Sequence, residues 1–131
     1  MFLTDIYRDG NYDPGFVYIA GSLAGRVSKI GKTKRPRRRQ QGLQNDKYGG
    51  LSDWAILYYA RANECSRIET ATLRQLRRHL TVESWESESW GSAQEIVRCS
   101  FSEALEALSD LLGDGQKFDA WWSPCWNRYC F

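Results

Sequence analysis

The sequence predicts an α+β fold, with a small, mainly antiparallel sheet of three to four strands flanked by about three helices. Two observations support this class: short aromatic and β-branched runs alternate with longer stretches of helical periodicity, and turn-forming residues separate them. The length of 131 residues suits one compact domain. We expect an irregular lead-in at residues 1–14, a domain at 15–113 and an aromatic-rich tail at 114–131.

Three strands are predicted in the first half of the chain. Residues 16–20 (FVYIA) are aromatic and β-branched, which favours extended backbone. After a turn at residues 22–25, residues 26–30 (RVSKI) alternate polar and apolar side chains up to Gly31, which predicts a strand paired with the first. Residues 54–60 (WAILYYA) are apolar enough for a central strand.

Two helices are predicted around the third strand. Pro36 suits the first turn of a short helix that runs to about residue 44, with Thr33 as a cap just upstream. Asn63 can cap a second helix that runs to about residue 80. Residues 47–53 contain two adjacent glycines and predict a loop.

A loop, a strand and a helix are predicted to close the domain. Residues 81–93 are rich in serine, glutamate and tryptophan and indicate an irregular segment. A short strand is expected at residues 95–99. Ser100 and Glu103 form the S-x-x-E pattern of a capping box, which predicts a third helix that ends at Gly113.

The net charge of +2 conceals an uneven distribution along the chain. Residues 1–79 hold 15 Lys/Arg and 7 Asp/Glu, whereas residues 80–131 hold 3 and 9. Eight of the basic residues lie between Arg26 and Arg39. This concentration fits a polyanionic partner as well as it fits a solvated surface, so charge alone leaves both interpretations open.

Composition also bounds the compartment and the metal chemistry. No apolar stretch approaches the ~20 residues of a membrane span, and the polar N-terminus does not have the pattern of a secretory signal. The four cysteines include no C-x-x-C pair and there is a single histidine, which disfavours a structural zinc site. We therefore expect a cytoplasmic protein with reduced thiols and no membrane association.

Glu69 occupies an unexpected place on the second predicted helix. At ~100° per residue, Cys65, Ile68, Leu73 and Leu76 form an apolar stripe whose centre coincides with Glu69. A buried carboxylate needs compensation, and the sequence leaves two forms of it open: an ion pair, or a hard divalent cation such as Mg²⁺. Four arginines are available for such a pair: Arg61, Arg67, Arg74 and Arg78.

Three consecutive arginines mark the first predicted helix. Arg39 shares a helical row with Leu43, the only large apolar residue of that helix, so we expect Arg39 to point toward the domain body. Arg37 and Arg38 are then expected to point outward. An inward guanidinium needs an anionic partner, either a carboxylate or a bound phosphate.

The predicted hairpin contains Gly15-Phe16-Val17-Tyr18 in its first strand and Lys29-Ile30-Gly31-Lys32-Thr33 at the end of its second. These two segments resemble the first and second motifs of the GIY-YIG nuclease superfamily, in particular a phage-type branch whose second motif reads K-I-G. Lys29 stands where the superfamily has its second tyrosine, and the late asparagine of the superfamily has no clear counterpart in this chain.

Three later segments extend the resemblance to about residues 15–112. Arg39 with Leu43 matches the helix arginine, R-x-x-x-L, and Ile68-Glu69 matches the glutamate of the second conserved helix. Residues 95–105 resemble the closing strand and helix of the branch. The resemblance implies a GIY-YIG nuclease-like fold. It also implies that the protein comes from a phage or a bacterium.

The resemblance implies a metal-dependent endonuclease, a hydrolase of phosphodiester bonds that uses one Mg²⁺ or Mn²⁺ ion and favours DNA over RNA. Tyr18 would orient or deprotonate the attacking water with help from Lys29, Arg39 would hold phosphate oxygens, and Glu69 would hold the metal ion. Nucleic-acid binding is expected from the remaining basic side chains of the region: Lys32, Lys34, Arg35, Arg37 and Arg38.

Two alternatives stay open. One is a catalytically inactive GIY-YIG fold that only binds nucleic acid or a protein, and the other is an unrelated α+β domain whose basic helix binds an acidic protein.

The tail is expected to pack on the domain, with a protein-partner surface or a base-stacking platform as the alternative. Its aromatic side chains are Trp121, Trp122, Trp126, Tyr129 and Phe131.

Overall fold

A five-stranded antiparallel sheet organises the computed structural model, which describes residues 12–79, 85–87, 91–93, 95–112 and 120–131. Its strands are β1 (Gly15–Ser22), β2 (Val27–Thr33), β3 (Ala55–Ala62), β6 (Ile96–Val97) and β7 (Ala120–Trp122), in the order β6-β2-β1-β3-β7. A separate hairpin consists of β4 (Trp85–Ser87) and β5 (Gly91–Ala93). The predicted α+β class is confirmed, with more strands than the sequence indicated.

Three helices of the described ranges flank the sheet: α1 (Pro36–Asn45), α2 (Cys65–His79) and α3 (Phe101–Leu111). Two short 3₁₀ helices span Tyr48–Gly50 and Trp126–Tyr129. The predicted capping box of α3 is confirmed, because the Ser100 hydroxyl accepts from the Glu103 backbone and the Glu103 carboxylate accepts from the Ser100 backbone.

The sheet buries side chains on both of its faces. Alternate residues of β1, such as Val17 and Ile19, pack with α2 and α3 in the larger core. Tyr18 and Ala20 face the opposite way and pack with Leu43 of α1. β1 and β3 are therefore covered on both sides, which explains their largely apolar composition.

Several predicted boundaries shift where hydrogen bonding overrides local sequence signals. β2 continues through Gly31 to Thr33, because β1 offers partners as far as Phe16. Helix α2 begins at Cys65 and its first backbone bond runs from Ile68 N to Glu64 O, so Glu64 rather than Asn63 is at the cap position. Thr33 accepts a hydrogen bond from the Arg35 backbone but does not cap α1.

The described part of the tail packs on the sheet. β7 pairs with β3, and Tyr129 is buried against Gly21, where an added Cβ would lie 2.6 Å from the Tyr129 ring. The predicted loop at 81–93 is wrong for residues 85–87 and 91–93, which pair as β4 and β5. The lead-in up to residue 11 and the predicted helix end at Gly113 lie outside the described residues.

The remaining composition-based expectations concern membranes and cysteines. Within the described ranges, no helix is both long enough and apolar enough to cross a bilayer. All four cysteines are free thiols, and burial raises the pKa of Cys65 to about 11 and that of Cys99 to about 12.

Candidate active site

The β1–β2 hairpin brings Tyr18 and Lys29 together on the α1 face of the sheet. Tyr18 is paired with Gly31 and Ala20 with Lys29, so the two side chains are diagonal neighbours. The Tyr18 ring lies over Gly31, where a Cβ atom would overlap the phenol. Glycine at position 31 therefore provides the space that lets Tyr18 cross β2 and reach Lys29.

Lys29 is a fully buried cation with two hydrogen-bond partners. Its Nζ donates to the Tyr18 hydroxyl at 2.9 Å and to Glu95 Oε2 at 2.7 Å. It also lies 5.0 Å from the centre of the Tyr18 ring and 4.8 Å from that of Tyr48. A buried ammonium group requires a charged partner, and Glu95 supplies it.

Glu95 is a site residue that the sequence analysis missed. It was expected only as the first residue of a short strand, because no spacing pattern connects position 95 with position 29. Its Oε2 also accepts a hydrogen bond from the Tyr48 hydroxyl at 3.3 Å. Burial acts to raise the pKa of Glu95, but Lys29 and the two hydrogen bonds outweigh burial and hold that pKa below its usual range.

Arg39 reaches the same phenol from α1. Its Nε donates to the Tyr18 hydroxyl at 3.2 Å, while Leu43 on the same helical row is buried. This hydrogen bond raises the pKa of the Arg39 guanidinium, which therefore stays cationic. The side chain points toward the sheet, as its row indicated, but it remains exposed enough for its terminal N–H groups to meet an anion from solution.

Glu69 of α2 lies half-buried beside Glu95. Burial raises the pKa of Glu69, and Glu95 raises it further through its charge and a hydrogen bond, while Lys29 and Lys32 act in the opposite direction. Among the described arginine side chains none pairs with Glu69, and Arg67 pairs with Glu64 instead. The arginine ion pair that the sequence left open therefore has no support in the described part of the chain.

The predicted nucleic-acid-binding side chains divide among three places. A groove of about 340 Å³ is lined by Thr33, Lys34, Arg35, Arg38, Arg39 and Gly42. Lys32 lies apart from this groove, since its Nζ donates to Asp13 at 3.1 Å and to Ser66 at 2.5 Å. The Ser66 and Lys32 hydrogen bonds lower the pKa of Asp13.

Arg37 and Arg38 line different clefts of α1. Arg37 lines a second cleft of about 420 Å³, together with residues of β3 and β7. Both arginine side chains were predicted to bind nucleic acid, because both were expected to point outward. Both are exposed, but the ~100° between their directions on the helix separates them into different clefts.

Comparison with known families bears on this arrangement. A family model described as the T5orf172 domain matches residues 15–112. The chain belongs to the T5orf172 domain family. This family is associated with phage-type, nuclease-like and GIY-YIG-like domains, which indicates a nuclease-like or nucleic-acid-binding role. The matched range contains Tyr18, Lys29, Arg39, Glu69 and Glu95.

Comparisons with individual proteins identify no relative of this T5orf172 domain. No curated protein matches the chain, and no solved structure matches it.

The donor set beside Lys29 suits a hard divalent cation in this T5orf172 domain. Glu69 is half-buried, its charged form is disfavoured, and a second carboxylate, Glu95, lies next to it. Mg²⁺ is commonly held by one or two carboxylates together with waters and substrate phosphate oxygens. In the described part of the chain there is no cluster of three or more His, Cys, Asp and Glu side chains, so a metal ion here would depend on water and substrate for its other ligands.

Proposed function

We propose that this T5orf172 domain is a metal-dependent endonuclease of the GIY-YIG type, with DNA as its favoured substrate. The observation that carries the proposal is the Tyr18 hydroxyl, which accepts hydrogen bonds from two cationic side chains, Lys29 and Arg39. A surface that only bound phosphates would need exposed arginines, but it would have no use for a buried lysine aimed at a phenol.

Tyr18 would act on the attacking water. Lys29 and Arg39 fill the two acceptor positions of its oxygen, so a neutral phenol can hold the water only through its own O–H. Transfer of that proton to solvent would leave a phenolate, which would take a proton from the water as the water oxygen attacks phosphorus and the leaving oxygen departs. Glu95 holds Lys29 in place and so preserves this arrangement.

Arg39 would bind the non-bridging oxygens of the scissile phosphate through its terminal N–H groups, as an oxyanion-stabilising donor. Lys34, Arg35 and Arg38 line the same groove and would hold the neighbouring phosphates. Glu69 would hold one Mg²⁺ or Mn²⁺ ion, with Glu95 beside it. A divalent cation bound there supplies Lewis-acid stabilisation of the charge that develops on the phosphoryl and leaving oxygens.

The decisive experiment is a cleavage series. Plasmid DNA, single-stranded DNA and RNA are each incubated with Mg²⁺ or with EDTA, using wild type, Glu69→Gln and the control Glu106→Gln on the exposed face of α3. We expect cleavage by wild type and Glu106→Gln with Mg²⁺, and none by Glu69→Gln or in EDTA.

Full activity in excess EDTA would contradict the metal requirement. Nucleic-acid binding without cleavage on every substrate would overturn the nuclease proposal and favour a module that only binds nucleic acid.

A further inference from the structure

The cleft on the far side of α1 has the composition of a nucleobase site. It measures about 420 Å³ and is lined by Pro36, Arg37, Gln40, Ile56, Tyr59 and Trp121. It therefore combines two aromatic rings, an aliphatic side chain, an amide and a guanidinium. Ile56 and Tyr59 pack in the same apolar cluster as Tyr18, but the hydrogen bonds of Tyr18, Lys29 and Glu95 in the described part of the chain involve none of the cleft side chains.

One wall of the cleft is a fixed aromatic stack. Trp121 of β7 is paired with Tyr59 of β3, and their rings are stacked, with centroids 5.2 Å apart and planes 20° from parallel. Phe16 contacts Tyr59 edge-on at 5.2 Å and holds the second ring in place. Trp121 nevertheless remains 40% exposed, so indole surface that is already oriented is available to a planar ligand.

The opposite wall supplies polar groups. Gln40 Oε1 accepts a hydrogen bond from the Ile56 backbone N at 2.8 Å, which fixes the orientation of the amide and leaves its NH₂ group as the end that can donate to a ligand. Arg37 adds a positive charge at this cleft. A planar ring with acceptor groups on its edge, attached to a phosphate, matches these walls.

We infer that the cleft binds the base of an unpaired nucleotide in the nucleic-acid substrate. The inference rests on the proposed function, because it takes the ligand of α1 to be a nucleic-acid strand. Arg38 and Arg39 line the groove on one side of this short helix, and Arg37 lines the cleft on the other. Helix α1, ~10–12 Å across with its side chains, lies between the groove and the cleft, so we expect a strand bound in the groove to reach Trp121.

The chemistry of stacking defines the substrate class. In a duplex both faces of each base are already covered by its neighbours, so a base can reach an indole only after it leaves the stack. The cleft therefore favours single strands, or duplexes that carry an unpaired nucleotide near the bound phosphates. The preference concerns structure and not sequence, because every base has a π-face.

The test measures binding in EDTA by fluorescence anisotropy, so that cleavage does not interfere. The probes are a short single-stranded DNA, versions of it that lack one base at successive positions, and the matching duplex. We expect Trp121→Ala to bind the single strand ~10-fold or more weakly than wild type, as loss of one stacking partner does. On the strand that lacks the bound base, variant and wild type should bind alike.

Trp122 provides a matched control. It is the neighbour of Trp121 on β7, is 46% exposed, and packs on the opposite face of the sheet against Tyr58 and Phe101. Trp122→Ala should leave single-strand affinity unchanged. If Trp121→Ala fails to fold, Trp121→Leu keeps an apolar side chain without the aromatic surface and should show the same loss, whereas Trp121→Tyr should retain most of the affinity.

Each outcome separates this site from the nuclease proposal. Equal single-strand binding by Trp121→Ala and wild type, or an equal loss in Trp122→Ala, would overturn the nucleobase site even if Mg²⁺-dependent cleavage is observed. Trp121-dependent binding without cleavage would overturn the nuclease proposal and leave the site standing. Trp121-dependent binding of an acidic peptide, with no binding of the single strand, would overturn the assignment of the cleft to a nucleobase.

Discussion

Tyr18 is the residue on which the candidate site converges. Its ring occupies the space that a side chain at position 31 would fill, and its oxygen accepts hydrogen bonds from Lys29 and Arg39. The buried ring contributes packing, whereas the hydroxyl contributes the hydrogen bonds to Lys29 and Arg39. Removal of the hydroxyl alone therefore tests the chemistry while the packing of the ring is kept.

We expect Tyr18→Phe to lower single-turnover cleavage by roughly 10²–10⁴-fold, the range associated with a lost acid–base group. Tyr58→Phe and Tyr59→Phe are the controls, because neither hydroxyl bonds to Tyr18, Lys29 or Arg39 and because Tyr59→Phe keeps the ring that stacks on Trp121, so each should retain most of its activity. Thermal melts would show whether all three variants fold. Equal losses of cleavage in the three variants would mean that the Tyr18 hydroxyl has no chemical role.

The stability of the protein depends on pH through Glu69, because the pKa of this carboxyl is shifted in the folded state. Burial, together with Glu95, raises its pKa above the ordinary value of 4.5, so the folded state favours the neutral form. The stability that Glu69 contributes is therefore fully present below that ordinary value and is lost as the pH rises through the raised, folded-state pKa. Glu95 titrates in the opposite sense, since its pKa is lowered, and its contribution is lost as the pH falls.

In EDTA we expect Glu69→Gln to melt at the same temperature as wild type or higher near pH ~7, with the difference closing toward pH ~4. Glu95 is present in both proteins, so its own titration cancels to first order in the comparison. Thermal unfolding across this pH range measures the effect. A loss of stability near ~3–5 kcal/mol in the variant would instead indicate that a buried ion pair had been broken.

At the scale of elements, α1 separates three neighbouring arginines into different surroundings. Arg39 donates to Tyr18, Arg38 lines the basic groove, and Arg37 lines the aromatic cleft. The helix has only ten residues, but its ~100° step per residue is enough to direct consecutive side chains into different clefts.

Alanine substitutions in α1 should therefore give distinct defects. Arg39→Ala should lower single-turnover cleavage at saturating substrate by roughly 10²–10³-fold, as the loss of one oxyanion donor does. Arg38→Ala should instead weaken binding and reduce the slope of log affinity against log salt by about one. Identical modest defects in both assays would mean that α1 is an undifferentiated basic patch.

At the scale of the whole molecule, the tail completes the sheet. The family match ends at residue 112, yet β7 pairs with β3 and Tyr129 packs against Gly21 and is 8% exposed. The same pairing places Trp121 against Tyr59. The tail thus contributes both to the core and to the aromatic cleft.

We expect Tyr129→Ala to lower the free energy of unfolding by about 3–5 kcal/mol, the cost of truncating a large buried aromatic side chain. Leu23→Ala in the exposed β1–β2 turn is the control and should change it by less than ~0.5 kcal/mol. Denaturant titration of the two variants gives both values. Similar small effects would show that the tail is dispensable for stability.

Local patterns were enough for the elements whose signals lie within a few residues. Aromatic and β-branched composition predicted β1, alternation of polar and apolar residues predicted β2, and the S-x-x-E pattern predicted the start of α3. The apolar stripe of α2 predicted that Glu69 would lie on the core-facing side, where it is half-buried. These features depend on side-chain periodicity and capping, which neighbouring residues determine. The end of β2 at Thr33 depends on pairing with β1, and the start of α2 at Cys65 depends on a hydrogen bond to the Asp13 backbone. Local sequence patterns do not contain these contacts, so both boundaries were predicted at the wrong residue.

The sequence by itself determined the α+β class, the hairpin that carries Tyr18 and Lys29, and the inward row of Arg39. Only the tertiary structure decided that Glu95 neutralises Lys29, that Arg37 and Arg38 line different clefts, and that Trp121 stacks on Tyr59. The pairs Lys29–Glu95 and Tyr59–Trp121 each join residues more than 60 positions apart. Such pairs form because a buried charge needs a partner and an unpaired strand edge needs a neighbour, and the identity of that partner is set by how the strands assemble.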